Sequence, residues 1–340
     1  MVGMSVSASA EASEVPARTS RPAIEIRGLR KRYGDVQAVQ GIDLEVPAGE
    51  LFGFLGPNGA GKSTTIKILC TLVRPTSGDA LVAGYNVVEE RNEVRRHIGL
   101  VFQEPTLDEY LTAEQNLRFH AEIYGIPRAA VGPRLDSVLE MVGLADRRKD
   151  KVANFSGGLK RRLEIGRGLL HSPRVLFLDE PTIGLDPQSR VTLWKYVDQL
   201  RVQESITVFL TTHYMDEAER CDRIAIIDQG RIVVLGTPAG LKASVGQDRI
   251  RMRTASDQAA AETIIQRLGV RAIATKDGVD VFTDDGEGFV PRIFELGLSV
   301  QSVTVTKPTL DDVFLAYTGN RIDDSPSGGL PPGPWSRKRG

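Results

Sequence analysis

The chain has 340 residues, enough for two domains or three, and its 41% hydrophobic and 26% charged residues are ordinary for a globular protein. A net charge of −1 excludes a global basic field, so no nucleic-acid partner is expected. No apolar run of about 18 residues is present to span a membrane, and two cysteines, Cys70 and Cys221, are too few for a disulfide framework.

In chain order, residues 1–22 are rich in Ser, Ala, Glu, Pro and Arg without periodicity and read as a disordered tail. Alternation at Ile24 and Ile26, then over Ile42–Val46, predicts half-exposed antiparallel strands. Leu51–Leu55 is a short apolar run, expected as a buried strand, and Ile66, Leu69, Cys70 and Val73 recur at helical spacing after it. Ile98–Phe102 reads as a further buried strand, followed by a helical stretch over about 105–170 in which Thr112 and Gln115 form a candidate capping box. Val175–Leu178 and Ile206–Leu210 are buried strands, and Arg223–Ile227 and Arg231–Leu235 flank a hairpin turn at Asp228-Gln229-Gly230. Buried strands separated by helices predict an α/β domain over 23–245 with a mostly parallel sheet and antiparallel additions. Residues 246–318 read as a small accessory α+β domain with a split βαβ pattern. Its last helix brings Leu310, Val313, Phe314 and Tyr317 to one face, expected to pack on its own domain or to meet a partner. Residues 319–340, ending in Arg337-Lys338-Arg339, read as a second disordered tail.

Chemistry concentrates between the apolar strand and its helix, at Gly56, Pro57, Asn58, Gly59, Ala60, Gly61, Lys62, Ser63 and Thr64. This is the phosphate-binding loop pattern: glycines turn backbone N–H groups inward, Lys62 supplies a point charge for β- and γ-phosphates, and the Ser63 hydroxyl is placed for Mg²⁺. Asp179 and Glu180 end an apolar strand, where one carboxylate can hold Mg²⁺ and the next can polarise an attacking water. Ser156-Gly157-Gly158 opens a helix whose free N–H groups suit a phosphate. The basic residues after it, Lys160, Arg161, Arg162 and Arg167, read as a solvated helix face.

In order, these motifs resemble the ATP-binding cassette (ABC) ATPase family over about residues 24–240. They comprise the loop Gly56–Thr64, Gln103, Ser156-Gly157-Gly158, Asp179-Glu180-Pro181-Thr182, Gly184-Leu185-Asp186-Pro187 and Thr211-Thr212-His213. The resemblance implies a P-loop NTPase fold with a mixed sheet and a helical subdomain. It implies ATP and Mg²⁺ as cofactors, Tyr33 stacked on adenine, Gln103 sensing Mg²⁺ and coupling to a membrane partner, Glu180 as general base and His213 on the γ-phosphate. Ser156, Gly157, Gly158 and Asp186 would act across a dimer of two copies. Leu159 stands where many members carry Gln, as in exporters whose Ser-Gly-Gly is followed by an apolar residue and a basic run. Pro308–Leu315 resembles the C-terminal signature of daunorubicin/doxorubicin-resistance ATPases, implying an exporter subunit at the cytoplasmic membrane face with a separate permease. Another cargo (sodium, polysaccharide, lipid) or a soluble, non-transport role are the alternatives; the single phosphate loop and the lack of heptad runs disfavour the last.

Overall fold

The computed structural model describes residues 21–319. The expected tails lie outside these residues except for Arg21, Pro22 and Gly319. Two long strands, β1 (Ile24–Tyr33) and β2 (Val36–Val46), pair antiparallel, and β3 (Leu51–Leu55) follows, buried along its whole length. Helix α1 (Lys62–Leu69) leaves the glycine loop and leads to β4 (Ser77–Val82), β5 (Tyr85–Asn86), α2 (Arg91–His97) and β6 (Ile98–Val101). The helical stretch contains α3 (Ala113–Ile123), α4 (Arg128–Met141) and α5 (Gly157–Leu169). Thr112 and Gln115 close the capping box at the start of α3, bonding each other's backbone N–H at 2.8 and 3.2 Å. Then come β7 (Val175–Asp179), α6 (Pro187–Glu204), β8 (Thr207–Thr212), α7 (Met215–Ala218), the hairpin β9 (Arg223–Asp228) and β10 (Arg231–Gly236), and α8 (Pro238–Val245).

These elements form two sheets. One is antiparallel, in the order β2-β1-β4-β5; the other runs β10-β9-β3-β8-β7-β6, parallel except for β10 at its edge. Helix α1 lies between them, its Ile66, Ile68 and Leu69 packed with Ile24, Ile42, Phe52, Phe54 and Phe177. Helices α3 to α6 cover the opposite face of the six-stranded sheet in a second core holding Leu117, Leu135, Leu163, Ile165, Leu176 and Leu193. Covered on both faces, β3, β7 and β8 carry nearly continuous apolar runs, as parallel strands must. The carboxyl ends of β3, β7 and β8 therefore converge at one edge, beside the start of α1.

The C-terminal segment consists of β11 (Asp248–Thr254), α9 (Asp257–Leu268), β12 (Arg271–Thr275), β13 (Gly278–Thr283), α10 (Gly286–Phe294), β14 (Val300–Thr306) and α11 (Leu310–Thr318). Its antiparallel sheet has the order β12-β13-β11-β14, and Ile250, Met252, Val279 and Val281 pack with residues of α9 and α10 in a separate core. The last helix departs from expectation. Leu310, Val313 and Phe314 are buried not in that core but with Leu241 of α8 in the large core of the preceding domain. The α11 face is a strap returning to the nucleotide-binding fold, and its Tyr317 remains 41% exposed with its hydroxyl 3.4 Å from Ser244 Oγ. Three of its large apolar residues are buried, and so short a helix is held by packing its apolar face, here against α8 and β10.

Candidate functional site

The loop between β3 and α1 folds tightly because two glycines allow what no side chain would. Gly61 has φ +110° and would place a Cβ 2.4 Å from the Ala38 carbonyl oxygen; a Cβ on Gly56 would lie 2.3 Å from that of Ile227. Lys62, 4% exposed, donates to the carbonyls of Gly56 (2.8 Å) and Pro57 (3.2 Å) and lies 3.1 Å from Glu180 Oε1. Burial lowers its pKa, and the Glu180 carboxylate opposes that shift. Tyr33, Pro57, Asn58, Gly59, Gly61, Lys62, Ser63, Thr64, Gln103 and Glu180 line one cleft of about 360 Å³, with Gln37, Gln40 and Gln229 on its rim. That volume lies in the range of small-molecule sites. Gly56 and Ala60 are not on its wall; they serve the loop's packing. Tyr33 is 41% exposed, with the Lys31 ammonium 4.8 Å from its ring centre.

The two carboxylates at the end of β7 diverge. Asp179 accepts from Thr211 Oγ1 (2.5 Å) and Ser63 Oγ (3.3 Å), so it is bound to β8 and to the loop. Glu180 has φ +47°, a left-handed conformation that costs a non-glycine residue about 1–3 kcal/mol and persists only where its surroundings enforce it. Its N–H donates to the Thr211 carbonyl and hydroxyl, both at 3.1 Å. The turn aims its side chain at Lys62 and at His213, whose Nδ1 lies 3.4 Å from Oε2 without completing a hydrogen bond. Burial alone would raise the Glu180 pKa; His213 and Lys62 outweigh it and hold the carboxyl below its ordinary value. Ser63, Asp179 and the Gln103 amide form a set of hard oxygen donors, which fits Mg²⁺, an ion commonly held by one or two carboxylates plus substrate phosphates.

A second cleft, of about 330 Å³, shares no lining residue with the first. Ser156, Gly158, Leu159, Arg162, Asp186, Gln188, Ser189 and Thr192 surround it. Ser156 caps α5, accepting from Leu159 N at 3.4 Å, and Gly157 faces Leu185. Gly158 abuts α6 so closely that a Cβ would lie 2.6 Å from Ser189 Oγ. Asp186 caps α6, accepting from Ser189 N (3.0 Å) and Oγ (2.5 Å), and these bonds lower its pKa.

The expectation of a solvated basic face on α5 is overturned for two of its four residues. Arg161 and Arg167 are 5% and 7% exposed, flanking the fully buried Glu164. Lys160 pairs with Glu109 at 2.5 Å, and Arg162 reaches the Tyr196 hydroxyl at 3.1 Å. Positions 161, 164 and 167 share one helix face at spacings of three, and Glu164 between two arginines was the available signal. Thr211, which holds both carboxylate positions, stands out in the sequence only as part of the Thr211-Thr212-His213 motif, with no role of its own.

Comparison with known proteins accounts for this arrangement. The family model described as "ABC transporter" matches residues 39–183. The daunorubicin/doxorubicin resistance ATP-binding protein DrrA of Streptomyces peucetius is 43% identical over 89% of this chain and 94% of its own. The linearmycin resistance ATP-binding protein LnrL of Bacillus subtilis is 39% identical over 88% of this chain and 100% of its own. A dimeric ATP-binding cassette solved in a post-hydrolysis state with ADP and Pi superposes with a TM-score of 0.57 at 26% identity, covering 63% of this chain and 98% of that one. The chain belongs to the ABC transporter family, as one of its ATP-binding, ATP-hydrolysing subunits.

Proposed function

We propose that this subunit drives export of drug- or antibiotic-like cargo through a separate membrane subunit, with ATP closed between two copies of the chain. The observation that carries the chemistry is the convergence of Lys62, Glu180 and His213 on one cleft with the Ser63–Asp179 pair at its side. Tyr33 stacks on adenine, and the loop N–H groups of Gly59 to Thr64 surround the phosphates. Lys62 moves from the Gly56 and Pro57 carbonyls to the β- and γ-phosphate oxygens. Mg²⁺, held by Ser63, Gln103 and Asp179, would neutralise charge on those oxygens. Glu180, kept ionised, accepts a proton from water as its oxygen bonds to the γ-phosphorus. The bond to the bridging oxygen breaks, giving ADP and phosphate. His213 donates to the γ-phosphate and limits where Glu180 can turn. The second cleft, with Ser156, Gly157, Gly158 and Asp186, covers the nucleotide held by the other copy.

The membrane partner is supported by a groove of about 400 Å³ that includes Phe102, the residue before Gln103; Leu72, Leu100, Ile123 and Tyr124 line it together with Arg95, His120 and Arg167. Leu72 is 47% and Ile123 62% exposed there, an apolar surface suited to a partner segment. No helix among the described residues is long and apolar enough to cross a membrane, so a peripheral position on the cytoplasmic face requires that partner. The drug-like cargo rests on the resistance names of relatives aligned along nearly their whole length. The test is Lys62→Ala, assayed in purified form and in a drug-sensitive host with the membrane subunit. The variant should lose ATP hydrolysis and no longer lower daunorubicin accumulation. Wild-type turnover removes the loop from the mechanism; accumulation unaffected by the wild type removes this cargo.

A further inference from the structure

One buried guanidinium joins three segments that the hydrolysis chemistry uses. Arg161 Nε donates to the Pro181 carbonyl at 2.7 Å, and Nη2 donates to the carbonyls of Asp179 (3.1 Å) and Glu180 (3.0 Å). Its Nη1 donates to the Phe102 carbonyl and to Glu164 Oε2 at 3.1 Å. Glu164 in turn accepts from Thr106 N (2.8 Å), and Arg167 donates to the Thr106 carbonyl (3.1 Å) and hydroxyl (2.6 Å). The segment bearing Gln103 is thus bound at both ends to α5. The turn bearing Asp179 and Glu180 is bound to the same helix, whose first residues are Gly157 and Gly158.

We propose that Arg161 is a positioning residue for ATP hydrolysis: its guanidinium holds the left-handed turn that aims Glu180 into the cleft, and fixes that turn relative to both the Gln103 segment and the Ser156–Gly158 end of α5. The proposal rests on the reading of Glu180 as general base. The strained φ of Glu180 needs outside enforcement, and Thr211 supplies it only at the N–H. The carbonyls of residues 179, 180 and 181 all turn to one planar fork. A guanidinium satisfies successive carbonyls in fixed directions; an ammonium on a flexible stem does not. Stability alone is a poor reason for this arrangement, because a buried ion pair is often matched or bettered by apolar residues of similar volume. The pair is built where geometry, more than burial, has to be held.

The test uses the full chain. Arg161→Lys should fold, bind ATP with a Kd within about 3-fold of wild type, and show kcat reduced about 10- to 100-fold at little-changed KM, the scale expected when a reacting group is displaced by about an ångström. The loss should fall on kcat and leave KM and ATP affinity in place, the mark of an interaction made only in the transition state. A role in stability alone would lower Tm without this split between kcat and KM. Arg161→Met with Glu164→Gln removes both charges of the pair, keeps the acceptor for Thr106 N, and should show the same kinetic change. A folded variant with wild-type kcat overturns the proposal. So does a loss of kcat matched by an equal loss of ATP binding, or failure of both variants to fold. Glu180→Gln run in parallel keeps the two claims apart: wild-type hydrolysis there rejects the general base, whatever the Arg161 variants do.

Discussion

The two clefts of this chain are built to different degrees. In the phosphate-loop cleft Lys62, Asp179 and Glu180 are buried and each has a partner from another segment. In the Ser156 cleft the polar groups bond mostly to their own helix ends: Asp186 to Ser189, and Ser156 weakly to Leu159. The first can recognise a nucleotide from one chain alone. The second offers capped helix ends and a polar surface, with Arg162 as the cation in its lining. The difference teaches that binding and hydrolysis need not fail together when the chain is altered.

The largest effect expected belongs to neither cleft. Phe314→Asp places a carboxylate in the core shared with Leu163 and Ile165 of α5, whereas α1 packs in the other core. Loss of about 3–5 kcal/mol is expected from urea unfolding. Hydrogen exchange should rise in α5 before α1; equal opening of both would mean that the two clefts share one support. Next in size, Gly158→Val would push Ser189 away from α5. It should lower kcat about 100-fold, the scale of a displaced contact group, with single-chain ATP affinity unchanged. Equal loss of affinity would erase the distinction between the clefts.

The smallest effect concerns Glu217, which is buried against the turn after β7 and accepts from Thr182 Oγ1. Its Oε2 has no hydrogen-bond partner, and burial raises its pKa despite the hydroxyls of Thr182 and Thr212. The folded chain therefore holds this proton more tightly than the unfolded chain, and stability falls as pH rises from about 4.5 through the raised value. Glu217→Gln keeps the acceptor and cannot ionise. Its Tm should exceed wild type by about 2–4 °C at pH 7.5, as for roughly 1 kcal/mol, with the gain shrinking toward pH 5. A gain independent of pH would reject the ionisation.

Much of the nucleotide-binding fold was legible because its signals are local. The glycine loop, the apolar strands ending at Leu55, Asp179 and Thr212, and the turn at Asp228–Gly230 each announce themselves over a few residues. The split βαβ pattern after about residue 246 was legible in the same way. What escaped was set by long-range geometry. Periodicity shows that Leu310, Val313 and Phe314 share a face; only packing reveals that the face returns to α8. Arg161 and Arg167 read as solvated because arginines on a helix usually are, and their burial depends on carbonyls 18 to 61 residues away. The left-handed turn at Glu180 left no mark either, since no glycine stands there.

The claim that two copies complete the site is tested most directly by the mass of Glu180→Gln. With the proposed general base removed, hydrolysis should slow about 10²- to 10⁴-fold while ATP stays bound. Light scattering with Mg²⁺ and saturating ATP should then give twice the single-chain mass of 37.1 kDa, falling back to one chain with ADP. A variant that binds ATP, hydrolyses it slowly and remains at the single-chain mass would contradict the composite site.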